Sequence, residues 1–168
     1  LSSLAVFLIP LIALMLAYDS IVGEDEQGTL LLLLTYPMSR VEILVGKFLG
    51  HAAILGVSTL VGFGVAGAII AALGSVEQLG ELVAALALFI LSAMLLGWAF
   101  IGFAYLISVS VAEKSKAAGI ALVVWFLFVI VFDLALLGVL VGTGGQVSEG
   151  LFHYLLLLNP TDIFRIVN

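Results

Sequence analysis

The 168-residue chain contains no cysteine, which excludes disulfides, thiolate metal sites and redox motifs outright. Charge is scarce as well: charged residues make up only 10% of the sequence, and the five basic ones form no cluster able to follow a phosphate backbone. Nucleic acid is therefore excluded as a partner. The net charge of −6 likewise offers no polybasic anchor for anionic lipid. His51 and His153 are too far apart in sequence to make a metal site together, and Met15, Met38 and Met94 do not cluster, so no metal site and no copper path are read in this chain. No Gly-x-x-x-x-Gly-Lys-Ser/Thr run is present, so the chain is not its own nucleotide-binding ATPase. With no Ser/His/Asp arrangement for hydrolysis either, no catalytic residue is assigned and the chain is read as non-enzymatic.

What is abundant is apolar sequence. Hydrophobic residues account for 64% of the chain, and the mean hydropathy of +1.39 is incompatible with a surface covered by polar groups. Four apolar segments, about 1–22, 41–73, 79–111 and 117–141, meet the length of a membrane span. Backbone amides in hydrocarbon must be satisfied within the segment, and no alternating strand pattern is present, so the expected fold is all-α, a polytopic transmembrane helical bundle forming one domain over 1–168. The first stretch has neither the basic region nor the cleavage pattern of a signal peptide. Both ends cut into apolar sequence, which suggests that flanking helices lie outside this stretch.

Orientation follows from the basic residues. Arg40, Lys47, Lys114 and Lys116 fall at one set of connections and Arg165 at the other, so the positive-inside rule places 19–47 and 110–118 in the cytoplasm. The connector around Gly74–Gly80 and the tail from Gly142 then face outward. Pro10 breaks one hydrogen bond within the first span and is expected to kink it, while Tyr18 and Asp19 mark where that span reaches water. The segment from Val41 to Leu73 would measure about 50 Å as a helix, far more than a core of about 30 Å, so it must tilt, bend or project, with Lys47 snorkelling to the interface. Gly46, Gly50, Gly56, Gly62, Gly64 and Gly67 give it a line of small residues suited to close helix approach. Trp98 and Trp125 fall within spans and are read as packing residues.

Residues 23–40 form the charged, turn-punctuated module between the first two spans. Glu24, Asp25 and Glu26 belong in water and suit the start of a helix. Gly28 permits a tight turn, Thr29 is a candidate cap for the leucine run, and Leu30, Leu31 and Leu34 share a face, although Leu32 and Leu33 blur the amphipathic pattern. Tyr36-Pro37 ends the short helix and Ser39 caps the long one. Two readings stand side by side: an ordinary acidic turn, or a surface element that a soluble partner can move. Beyond Gly142, the run Leu151–Leu158 is too short to cross, and Asn159-Pro160-Thr161-Asp162 breaks and restarts a helix, with Thr161 or Asp162 as its cap. That tail reads as an outward-facing elbow.

The string Glu24-Asp25-Glu26-Gln27-Gly28-Thr29-Leu30-Leu31-Leu32-Leu33-Leu34-Thr35-Tyr36-Pro37-Met38-Ser39-Arg40, followed by Glu42 and Gly46-Lys47, resembles the signature of ABC-2-type permeases. The resemblance implies a six-helix half-transporter, here with four of its spans, paired with a second copy of itself in the bacterial inner membrane. It implies a coupling helix in 23–40 that docks on a separate cytoplasmic ABC ATPase, which carries the ATP and magnesium. Glu24, Asp25, Glu26, Gly28, Thr29, Leu33, Tyr36, Pro37, Ser39 and Arg40 would form that interface. A narrower resemblance rests on Ala17-Tyr18-Asp19-Ser20 and on Leu157-Leu158-Asn159-Pro160-Thr161-Asp162-Ile163-Phe164-Arg165. These look like the NosY-type permeases of nitrous oxide reductase maturation, which implies a periplasmic copper-handling partner meeting a re-entrant elbow at His153, Asn159, Pro160, Asp162 and Arg165.

Asp133 is the carboxylate within an otherwise apolar run, Val123 to Val141. Placing it there costs roughly 2.5–3.5 kcal/mol, so it must face protein or a water-filled cavity. It reads either as a proton or substrate contact in a translocation path or as a hydrogen-bonded link between helices. A secondary transporter using Asp133 is the alternative to an ATP-driven subunit, although such proteins show more polar groups at mid-membrane. Between export and the passing of force to an outer partner, the apolar spans favour force.

Overall fold

The computed structural model describes residues 2–73, 79–145 and 149–168. The outward connector expected at Gly74–Gly80 falls mostly outside the described residues, as do Leu1 and residues 146–148. Everything described is helix or short connection. The helices are α1 (Ser2–Ala17), α2 (Val22–Glu26), α3 (Thr29–Leu33), α4 (Arg40–Leu73), α5 (Leu79–Ser110), α6 (Lys114–Phe126), a π-helical segment (Leu127–Val131), α7 (Phe132–Gly142), α8 (Glu149–Leu157) and α9 (Pro160–Val167). By length and composition four stretches can cross a membrane: Ser2–Glu26, Arg40–Leu73, Leu79–Ser110 and Lys114–Gly142. The fourth joins α6, the π segment and α7 into one rod.

The core is the seam between α1 and α5. On α1 the buried positions Ala5, Val6, Ile9, Ala13, Leu14 and Ala17 recur at three- and four-residue intervals, and on α5 Ala93, Leu96, Gly97, Phe100, Ile101 and Ala104 do the same. That periodicity puts each set on one face of its helix. Lipid tails are as apolar as leucine, so close approach and van der Waals contact hold such a seam, and small residues permit it. A Cβ added at Gly97 would come 2.5 Å from Leu55 Cδ2 and 3.3 Å from Ile9 Cγ2, which places the tightest three-helix contact of α1, α4 and α5 there.

The glycine line on α4 is less uniform than its sequence implies. Gly56 touches Met94 and Trp98, and Gly67 lies against Leu86, but Gly46, Gly50, Gly62 and Gly64 have open space around them. Pro10 is accommodated inside α1 and buried. The indole of Trp125 donates to the Phe7 oxygen at 3.0 Å near this site, and the indole of Trp98 donates to the Ala52 oxygen at 3.0 Å. Both tryptophans pack, as expected, and each also ties its span to a neighbour's backbone. Lipid-facing positions such as Leu60, Val61, Val123 and Leu137 are exposed.

At the far end, Thr143 and the glycines Gly144 and Gly145, with φ of 60° and 77°, close α7. After α8 the chain returns into the bundle, and α9 packs on α5, α1 and the π segment. The α9 cap is Asn159, whose side chain accepts from the Thr161 N–H at 3.0 Å; neither Thr161 nor Asp162 supplies it. Pro160, at the first helical position, has no N–H to satisfy, which suits it to that place.

Candidate functional site: a surface module tied to three spans

The module 23–40 folds as two short helices joined at Gly28, whose φ of 69° is one that glycine adopts without strain. Thr29 does not cap α3; its hydroxyl donates to the Glu24 oxygen at 3.2 Å. Ser39 and Glu42 form a reciprocal capping box at the start of α4. The Glu42 carboxylate accepts from the Ser39 N–H at 2.7 Å, and the Glu42 N–H donates to Ser39 Oγ at 3.2 Å. Leu30 and Leu34 line an apolar notch with Ile21, Arg40, Ile43, Leu44 and Val109, while Leu31 and Leu32 point away and are exposed.

The acidic residues do not share one role. Glu24 is paired with Lys47 of α4, whose ammonium also donates to the Ser20 oxygen at 2.8 Å. Glu26 accepts from the Lys114 backbone N–H at 2.6 Å, occupying one of the unsatisfied donors at the start of α6, while Lys114 Nζ pairs with Asp19 at 2.5 Å and lies over the Tyr18 ring. The α2 helix has no cap of its own. Ser108 of α5 serves instead, its hydroxyl oxygen accepting from the Ile21 and Val22 N–H groups at 3.0 and 3.1 Å while almost wholly buried. The module is thus fastened to α4, α5 and α6 by different side chains. Deeper along the same seam, His51 Nδ1 lies 2.8 Å from the Tyr105 hydroxyl.

Among the described residues Asp25 and Arg40 make no ion pair, and both are exposed together with Tyr36, Pro37 and Met38. Leu33 is half-buried. Sequence reasoning grouped all these residues as one interface; the structure divides them into a set bonded to the spans, the half-buried Glu24 and the exposed Glu26, and an exposed set around Asp25, Tyr36 and Arg40. Lys47 and Lys114 were legible as topology signals, but Ser108 carries no signal in sequence that separates it from any other serine in a span.

The residues expected to meet an outer partner separate in the same way. Asn159 is 0% and Asp162 4% exposed, so neither side chain presents itself at the surface, whereas His153 is exposed and Pro160 half-buried. Arg165 turns inward too. It donates to Asp133 at 2.6 Å and to Asp162 at 3.1 Å, so the intramembrane carboxylate is paired with a cation that sequence reasoning had assigned to the outer surface. Burial and the nearby Asp133 carboxylate push the Asp162 carboxyl above its ordinary range, against the opposing pull of Arg165. No group of three or more His, Asp or Glu suited to a metal occurs among the described residues.

Residues 2–168 match the family described as ABC-2 family transporter protein. The chain is 59% identical over its whole length to the probable ABC transporter permease protein NosY of Stutzerimonas stutzeri, and 55% identical to the protein of the same name from Pseudomonas aeruginosa PAO1. It spans 61% of the length of each of these relatives.

Proposed function

Because the chain belongs to the ABC-2 transporter family, we propose that it is the membrane part of an ATP-driven machine whose catalytic subunit is a separate cytoplasmic ABC ATPase docked on residues 23–40. The chain itself is non-catalytic, and ATP and magnesium belong to the partner. A second copy of the chain completes the transmembrane unit. The relatives' printed name, NosY, supports a place in nitrous oxide reductase maturation; a periplasmic copper-handling protein as the outer partner is a further part of the proposal.

The observation that carries this reading is the fastening of the module to α4 through Lys47, to α5 through Ser108 and to α6 through Glu26 and Lys114. An ordinary surface turn needs no such ties. A force applied to the module reaches three spans at once, because each tie is short and charge-assisted or buried. Passing force outward fits better than exporting a polar cargo, since the grooves between the spans are lined almost entirely by apolar side chains and Asp133 is already engaged by Arg165.

The division of residues makes the proposal testable in two parts. In the full-length protein purified with its ATPase, Asp25→Asn with Arg40→Ala should weaken co-purification of the ATPase. Glu24→Gln with Lys47→Met should leave association intact and reduce the stimulation of ATP hydrolysis by the membrane subunit. Undiminished association and coupling in both double variants would sink the reading.

A further inference from the structure

The fourth span is built in two arms with separate attachments. Its first arm, α6, belongs to the module, through the Glu26 bond to the Lys114 N–H and the Lys114 pair with Asp19, and to α1 through the Trp125 bond to Phe7. Its second arm, α7, has no buried residue among its positions, and its one described ion pair is Asp133 with Arg165 of α9. Between them lies the π segment, anchored by the buried Val129.

There the backbone register slips by one residue. The Phe132 N–H bonds to the Leu127 oxygen five residues back, and the Phe128 oxygen accepts from Asn159 Nδ2 at 2.8 Å and from Thr161 Oγ1 at 3.3 Å. A carbonyl in hydrocarbon needs a donor, and here the donor is a side chain of another element. Asn159 is wholly buried and saturated: its oxygen accepts from Thr161, and its amide also donates to Asp162 at 3.0 Å. Aromatic rings seal the joint, with Phe128 stacked on Phe103 at 5.1 Å and edge-on to Phe100 at 5.8 Å.

The spacing of the two attachments on α9 matches that on the span. From Phe128 to Asp133 the helical rise is about 7.5 Å and from Asn159 to Arg165 about 9 Å, close enough for both ties to be made at once while α9 packs on α5, α1 and the π segment. Helix α9 acts as a splint on the second arm and begins at the joint. Segments of π-helix are frequent at functional sites and are one of the few recognised causes of a sharp helix bend.

We propose that Asn159 and Arg165 are positioning residues that splint α7 to α9, so that the span 114–142 bends at Leu127–Val131 and delivers motion of the first arm to α9. This rests on the coupling reading above, because the first arm is the one joined to the ATPase-docking module.

The test is amide hydrogen exchange on the full-length protein with its ATPase in lipid nanodiscs, nucleotide-free against ATP-trapped. In the native protein, trapping should alter exchange in 23–40, 114–126 and 160–167 together. With Asn159→Ala or Arg165→Met the response at 114–126 should persist and that at 160–167 should be lost. The near-isosteric Asp133→Asn gives a second route to the same loss, and Arg165→Lys, which keeps a cation for both Asp133 and Asp162, should retain the response. A silent 160–167 in the native protein beside a responding 114–126, an unchanged response in Asn159→Ala and Arg165→Met, or a response lost in Arg165→Lys would each overturn the proposal. A native protein in which 23–40 itself is silent would instead remove the coupling reading beneath it.

Discussion

Lys47 satisfies two acceptors, the Glu24 carboxylate of the module and the backbone oxygen of Ser20 just before it, and its own stem is held on α4. The second oxygen of Glu24 is buried and has no hydrogen-bond partner among the described residues, so loss of Lys47 would leave that carboxylate unpaired. Lys47→Met is expected to cost roughly 1–3 kcal/mol of thermal stability, and Glu24→Gln in the same chain should recover part of it. A double-mutant cycle on the detergent-solubilised protein, followed by melting, reads both effects. At this scale the sequence was legible only where a residue type was rare. Five basic residues among 168 could each be asked for a partner, and Lys47 has one in Glu24; a serine such as Ser108 could not be singled out, because its role depends on which backbone donors another span leaves open.

At the scale of elements, α9 holds a carboxyl whose protonated form is favoured by burial and by a neighbouring carboxylate. With the folded pKa raised above the unfolded one, the native chain binds more protons in the interval between them, so stability must fall as pH rises through it. The contribution of Asp162 is greatest below the ordinary carboxylate range and is lost progressively above it, up to the raised value. Melting curves of the native protein and of Asp162→Asn across that interval should converge or cross, with the native protein losing ground as pH increases. A second element depends on shape alone: Gly97→Val would drive a branched side chain into Leu55 and Ile9, and overpacking at such a seam costs about 1–3 kcal/mol by thermal unfolding. The cap of α9 was expected at Thr161 or Asp162 and is Asn159 instead, because Pro160 takes the first helical position and leaves the residue before it to cap. The π segment had no such sign. Leu127–Val131 is an unbroken apolar stretch, and nothing in its periodicity distinguishes a five-residue hydrogen-bond step from a four-residue one.

For the whole molecule, the segments expected to span at 41–73, 79–111 and 117–141 are helical over Arg40–Leu73, Leu79–Ser110 and Lys114–Gly142, because long apolar runs without an alternating pattern leave helix as the way to satisfy their backbone. What sequence could not convey is how the pieces close on one another, since apolar surfaces facing lipid and apolar surfaces facing protein are written in the same residues. Three of these rods contain 34, 32 and 29 described residues. At helical rise these are about 51, 48 and 43 Å, against a hydrocarbon thickness of about 30 Å. Rods so much longer than the slab around them must lean, bend or project beyond it, and whatever apolar length remains in excess is absorbed by tilt and local bilayer deformation at fractions of a kcal/mol per Å. The reconstituted machine should therefore respond to acyl-chain length, turning over faster in long-chain phosphatidylcholine than in short-chain, and the surrounding lipid becomes a further component that sets how steeply the rods lean.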